Sequence, residues 1–230
     1  MDTASASADN QTEPGPLRYR AVGDSALLVE YGPVIAPAIN QQVRALLAAL
    51  DAAPPAGLRD LVPAYRTLLI RYDPTVITHA ELLDRVRALE DASHAAAPPG
   101  RVVTVPVCYG GEYGPDLADV AAQTGLTTEE VVARHSAGHY PVYFLGFAPG
   151  FPYLGGLDAS LATPRLPQPR PVVPAGAVGI GGEQTGIYSL TTPGGWRIIG
   201  RTPVRLYDPT AAEPFLLRAG DEVQFRPVTP

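Results

Sequence analysis

Four arginines, Arg165, Arg170, Arg197 and Arg201, fall inside a stretch from Gly146 to Pro203 that is dense in Gly, Pro and aromatic residues. A guanidinium grips a carboxylate or phosphate through paired hydrogen bonds. Their clustering in a chain of net charge −6 therefore points to an anionic ligand or an acidic partner surface. Arg165 and Arg170 have the better claim, because each follows a Pro in a turn-rich segment of the kind that lines clefts. The competing use is structural: each arginine could instead hold loop carbonyls in place. Gln184, Thr185, Gly186 and Tyr188 sit in GEQTGIY. Gln and Thr supply neutral hydrogen bonds, and Gly186 allows close backbone approach. That set suits a small amide or lactam, and an ordinary β-turn uses the same residues. Trp196, the only tryptophan, follows Gly194-Gly195. Its large face and single N–H can floor a pocket or plug a core. Arg165, Arg170, Gln184, Thr185, Tyr188, Trp196 and Arg201 are thus the candidate substrate-binding residues.

Phe147, Phe151 and Tyr153 flank Pro149-Gly150 in GFAPGFPYL. Aromatics on a Gly/Pro loop make a candidate partner-binding patch, or they pack the loop onto the body beneath. His135 and His139 have the i, i+4 spacing of two ligands on one helix face. Gly138 and Pro141 end that helix, and no Glu follows His135 as in zinc proteases, so no metal site is expected. His139 stands just before the motif-rich stretch and is the candidate acid–base group, since histidine titrates near neutrality. Cys108, the only cysteine, lies in an apolar strand-like run and reads as an inert thiol. It excludes an internal disulfide. No G-x-S-x-G elbow occurs, and GIGGEQTG does not fit G-x-G-x-x-G.

The chain has no lysine. Schiff-base chemistry, a pyridoxal phosphate linkage and the Walker A lysine are all excluded. Any ATP is expected on another chain, with no cofactor in this one. The acidic balance without a basic block argues against nucleic acid. No apolar run reaches the roughly 20 residues that cross a bilayer, and the polar start MDTASASADNQTEPGP lacks signal-peptide features. A cytoplasmic protein is expected.

The 230 residues, 46 % hydrophobic, suffice for two domains. Residues 1–16 read as a disordered tail. Residues 17–94 read as a small unit ordered β-β-α-β-β-α, suggesting a split, ferredoxin-like α/β domain. Its first helix carries Ile35, Ile39, Val43, Leu46, Leu47 and Leu50 at helical spacing within Val34–Leu50. Its second is capped by Thr78 with Glu81 three residues on. AAAPPG (Ala95–Gly100) is the expected break. Residues 101–230 open on the alternating strand RVVTVPVCY and continue with helices at Asp116–Thr124 and Thr128–Ser136, the second capped by Thr127 or Thr128. Short strands follow: Tyr140–Leu145, VVPAG, AVGIGG, IYSLTT, WRIIG, VRLYD and EVQF. Their even spacing between Gly/Pro turns suggests a barrel. Asp221-Glu222 reads as a hairpin turn before the last strand. The fold class is α+β.

Three ordered blocks resemble a single family: GFAPGFPYLGGL (Gly146–Leu157), PRLPQPRPVVPAGAVGI (Pro164–Ile180) and QTGIYSLTTPGGWRIIGRTP (Gln184–Pro203). That family comprises the B subunit of bacterial 5-oxoprolinase, the kinase inhibitor KipI and subunit 1 of allophanate hydrolase. The same module occurs in the carboxyltransferase domain of urea carboxylase. The resemblance spans roughly Leu17 to Val228. It departs from the family pattern at Ser189, where Pro often follows the Tyr, and at Ala177, where Ser is common. It implies a cyclophilin-like β-barrel in the second domain. It also implies one member of a heteromeric complex, working with the A and C subunits of 5-oxoprolinase, in which ATP drives the opening of 5-oxo-L-proline to L-glutamate. The arginines would hold a phosphorylated lactam or its carboxylate, and Gln184 and Thr185 would orient the amide. Two other activities occur in the family. One is docking on a sensor histidine kinase, through the Gly146–Leu157 aromatics or an apolar pocket in the barrel. The other acts on urea-derived substrates.

Overall fold

A computed structural model of the chain describes residues 17–92 and 100–229, which fall into two compact units. The expected tail at 1–16 and, apart from Gly100, the Pro-rich break lie outside the described residues. Among the described residues no helix is long and apolar enough to cross a membrane.

The first unit runs β1 (Arg18–Val22), β2 (Ala26–Glu30), α1 (Pro37–Ala52), β3 (Leu58–Pro63), β4 (Thr67–Tyr72) and α2 (His79–Ala92). Its four strands form an antiparallel sheet in the order β1-β2-β4-β3, two hairpins joined through the central β2–β4 pair. The period-two alternation sends Leu27, Val29, Leu68, Ile70 and Tyr72 to one face. There they meet Ile39, Val43, Leu46 and Leu50 of α1 and Leu82 and Val86 of α2. Helix α1 begins later than the apolar stripe predicts. Pro37 occupies its first turn, where a missing N–H is harmless, and Ile35 is left outside the helix at 57 % exposure. Thr78 and Glu81 form the expected capping box on α2: the Thr78 N–H donates to the Glu81 carboxylate at 2.9 Å, and the Glu81 N–H to the Thr78 hydroxyl at 3.3 Å.

The second unit contains β5 (Val102–Tyr109), α3 (Leu117–Thr124), α4 (Thr128–Ala137), β6 (Tyr140–Leu145), β7 (Pro152–Leu154), β8 (Arg170–Val173), β9 (Ala177–Gly181), β10 (Gln184–Ile187), β11 (Thr192–Gly194), β12 (Arg197–Arg201) and β13 (Glu222–Pro227). Seven strands close a barrel in the order β10-β7-β6-β13-β5-β12-β9. The barrel closes through a parallel pair, β13 against β5, with Val223 opposite Val103. Val105, Val107, Tyr140, Val142, Leu154, Val178, Ile180, Ile187, Ile199 and Phe225 fill the core. Strands β8 and β11 lie outside the barrel order as a separate two-stranded antiparallel sheet. VRLYD is no strand beyond the isolated bridge Tyr207–Phe215. There Leu206 turns inward as a buried core residue. Thr127 is the cap of α4, in a complete capping box with Glu130. Asp221 is more than a turn residue: buried, it accepts hydrogen bonds from the Arg101 N–H at 3.0 Å, the Arg101 Nη2 at 2.7 Å and the Arg218 N–H at 3.0 Å.

His135 is fully buried at the inner face of α4, stacked on Phe225 with ring centroids 4.6 Å apart. Its two ring nitrogens are spent on a chain of hydrogen bonds through the core. The Thr185 hydroxyl donates to the Gly179 carbonyl at 3.0 Å, so it accepts from His135 Nε2–H at 2.9 Å. Nδ1 then accepts from the Tyr109 hydroxyl at 2.8 Å. Burial disfavours the imidazolium and drives the pKa of His135 from 6.5 down to about 3. The unfolded chain therefore binds a proton that the folded chain refuses. Stability from this residue is complete above pH 6.5 and falls as pH drops toward the folded value. Urea unfolding at pH 6.5 and pH 5, a window above most carboxylate titration, is expected to show a loss of about 2 kcal/mol. The loss should disappear in His135→Gln, and an equal loss in that variant would contradict the assignment.

Candidate functional site

The loop from Gly146, the segment before β8, the end of β10 and the β11 strand with the residues after it enclose a cleft of about 290 Å³ lined by Phe147, Phe151, Tyr153, Arg165, Tyr188 and Trp196, with Pro169, Pro193, Gly194 and Gly195. Phe151, buried, is its hub. It meets Trp196 edge-on at 5.6 Å, Tyr188 at 5.5 Å, Tyr153 at 5.3 Å and Phe147 at 5.4 Å between ring centroids. Edge-to-face contacts of this kind fix ring orientation beyond simple area burial. The loop that carries it is tight: Gly146 N–H donates to Phe151 O at 3.1 Å and Phe151 N–H to Ala148 O at 3.0 Å. Closing this turn places Phe147 at φ 63, the only non-glycine in the left-handed region among the described residues, and leaves it 65 % exposed. That conformation costs about 1–2 kcal/mol for an L-residue.

Glycines set where the rings can lie. A Cβ on Gly181 would stand 2.6 Å from the Trp196 indole, so the indole lies directly against the β9 backbone. A Cβ on Gly194 would stand 2.3 Å from the Tyr188 hydroxyl. Two ring-bearing residues are thereby seated by two residues without side chains.

Arg165 lies over the Trp196 ring, with Cζ 5.9 Å from the centroid. It is exposed and has no hydrogen-bond or ion-pair partner among the described residues. Burial pushes the Tyr188 phenol above its ordinary pKa, against the pull of the Trp196 backbone and the Arg165 and Arg170 charges. Tyr188 therefore enters the cleft as a neutral hydroxyl. The cleft thus offers a flat aromatic wall, one unspent guanidinium and one phenol, a combination that suits a small planar molecule carrying an anionic group.

The other arginines of the stretch are spent elsewhere. Arg170 Nη2 pairs with Asp116 Oδ1 at 2.6 Å, and its Nη1 makes a long contact with the Trp196 carbonyl at 3.5 Å. Arg197, 8 % exposed, pairs with Asp119 and donates to the Pro164 carbonyl at 2.9 Å. Arg201 donates to the Ala175 carbonyl at 3.2 Å and lines a different cavity. Gln184 is half-buried in β10 opposite Gly181. Thr185 points into the barrel core beneath His135. His139 is exposed, pairs with Glu222 Oε1 at 2.7 Å and lines no part of the cleft. The structure therefore gathers Arg165, Tyr188, Trp196, Phe147, Phe151 and Tyr153 into one site, and does not bring Arg170, Gln184, Thr185, Arg201 or His139 into it.

Asp116 carries a role that its position hides. Standing before α3, it reads as a helix cap, yet its side chain makes no capping bond. Oδ2 instead accepts the Ile198 N–H at 2.6 Å while Oδ1 holds Arg170. Its own N–H donates to the Ile198 carbonyl at 2.9 Å. The only hint in the sequence is an excess of acids opposite an arginine-rich stretch.

A family described as "Carboxyltransferase domain, subdomain C and D" matches residues 17–217. The chain is 43 % identical to a Bacillus subtilis protein named as the B subunit of 5-oxoprolinase, over 91 % of this chain and 92 % of that one. It is 44 % identical to the protein of the same name from Escherichia coli O157:H7, over 91 % and 95 %. Among solved structures, TTHA0988 matches with a TM-score of 0.80 and 42 % identity over 89 % of this chain, which spans 40 % of that longer chain. Fungal urea amidolyases match more distantly, at 24 % and 27 % identity and 13 % of their own length.

Gly181→Ala must displace the indole. The expected result is a loss of about 1–3 kcal/mol in urea unfolding and a red shift in the emission of the single tryptophan. Unchanged emission would contradict the packing described.

Proposed function

The chain belongs to the family of the carboxyltransferase domain, subdomain C and D, and from that premise we propose that it is the B subunit of a 5-oxoprolinase, which acts with its A and C subunits to open 5-oxo-L-proline to L-glutamate in an ATP-dependent reaction. The observation that carries the substrate assignment is the unpartnered Arg165 guanidinium above the Trp196 face. 5-Oxo-L-proline is a nearly flat five-membered lactam with one carboxylate. The guanidinium takes the carboxylate through two parallel hydrogen bonds. The ring lies in the aromatic cleft, and the Tyr188 hydroxyl is in place for the lactam amide. Phe147 stands exposed at the rim, and the buried Phe151 backs the aromatic wall.

The lactam is a stable amide, so its carbonyl must be activated before water attacks. Phosphorylation of the carbonyl oxygen by ATP, with loss of the ring N–H proton, would activate the carbon; water then adds, the ring nitrogen leaves as the amine, and hydrolysis of the resulting acyl phosphate releases phosphate. A chain without lysine has no Walker A site, and ATP is assigned to a partner chain of a cytoplasmic assembly. On this reading the chain binds and orients the lactam while its partners deliver the phosphoryl group. Identity to the 5-oxoprolinase proteins exceeds that to the urea amidolyases, which favours the lactam over urea-derived substrates. The exposed Phe147 is part of the same cleft and is read as its rim, in preference to a kinase-docking patch. The order β-β-α-β-β-α further reads as a ferredoxin-like first unit, and the resemblance implies a cyclophilin-like barrel.

The test is glutamate release from 5-oxo-L-proline and ATP by the chain co-purified with its partner subunits. Arg165→Gln is expected to lower kcat/KM by about 10²-fold, the scale of a lost charged hydrogen-bond pair, with most of the effect in KM. Full activity in Arg165→Gln, or an intact complex inactive on this lactam, would overturn the proposal.

A further inference from the structure

A second cavity, of about 540 Å³, opens at the barrel wall where Arg201 of β12 pairs with Cys108 of β5. Its size falls within the range of small-molecule sites. Arg201 lines it. Only Nε is spent, on the Ala175 carbonyl, and no carboxylate faces the two terminal nitrogens among the described residues. Arg205 adds a second positive charge, partly countered by Asp208 at 3.0 Å. The Tyr113 ring and the Cys108 thiol complete the wall.

We infer that this cavity is a second binding site, for a small molecule carrying a carboxylate or phosphate group, with the Arg201 terminal nitrogens on its oxyanion and the Arg205 charge beside them. Two guanidiniums line the cavity and one carboxylate, Asp208, pairs with Arg205; an oxyanion-bearing ligand completes the pairing. The site is distinct from the aromatic cleft: the successive residues Tyr188 and Ser189 line different cavities. An occupant here does not depend on the lactam being bound at Arg165.

The full chain is titrated by calorimetry with inorganic phosphate and, separately, with succinate, while a thiol reagent reads the labelling rate of Cys108, the only cysteine. Saturable binding of at least one anion is expected. Arg201→Gln should weaken it by about tenfold or more, and Arg165→Gln should leave it unchanged. Bound anion should slow Cys108 labelling. Saturation by phosphate alone assigns a phosphate-bearing ligand, and saturation by succinate alone assigns a carboxylate. Arg205→Gln should weaken binding by a smaller factor than Arg201→Gln, since Asp208 already counters part of its charge. No saturable binding of either anion, or binding indifferent to Arg201→Gln, overturns the inference. Neither result touches the Arg165 reading, which is scored by lactam turnover.

Discussion

The Asp116 carboxylate fixes the wall on which the candidate site is built. One oxygen pairs with Arg170, and the other accepts the Ile198 N–H. The Asp116 N–H returns to the Ile198 carbonyl. Arg170 in turn reaches the Trp196 carbonyl. The backbone from the Trp196 carbonyl to Ile198 is thus held by groups tied to one buried acid. Removing either partner of such a pair leaves an uncompensated charge, which is far more destabilising than losing an exposed ion pair. With its backbone held and its ring seated against Gly181, the indole presents a fixed face to the cleft. A preorganised wall spares a ligand the entropy of ordering it.

The arginines of this stretch share a residue type and diverge in role through their surroundings. Arg197 is drawn into the protein by Asp119 and the Pro164 carbonyl, and Arg170 by Asp116. Both are structural ties between α3 and the strands. Arg165 finds no acid and rests on an aromatic face. Arg201 spends one nitrogen on a carbonyl and turns its remainder to another cavity. In an acidic chain, an arginine without a carboxylate partner stands out as a candidate for binding anions from solution.

Local signals in the sequence carried well. The apolar stripe of α1 marks its buried face apart from Ile35, and the Thr78 and Thr127 capping boxes mark the starts of two helices. The aromatics of the Gly146–Leu157 block stand out by type, and the structure gathers Phe147, Phe151 and Tyr153 with Trp196 around one cleft. What stayed hidden is non-local. The partner of Arg170 lies 54 residues away and that of Arg197 lies 78 away, and no spacing rule pairs them. Thr185 looked like a ligand residue from its neighbours, yet the two-residue period of β10 turns it into the core beneath His135. Barrel closure depends on a parallel pair between the opening and closing strands of the second unit, a contact of high sequence separation. Strands β8 and β11 read as barrel strands from composition, and pair with each other in a separate two-stranded sheet instead.

The most direct measurement is a crystal structure of the chain assembled with its partner subunits and 5-oxo-L-proline. The account predicts the lactam ring in the Trp196 cleft, with its carboxylate within hydrogen-bond distance of Arg165. A lactam seated elsewhere, with Arg165 paired to a carboxylate of another chain in the complex, would contradict it.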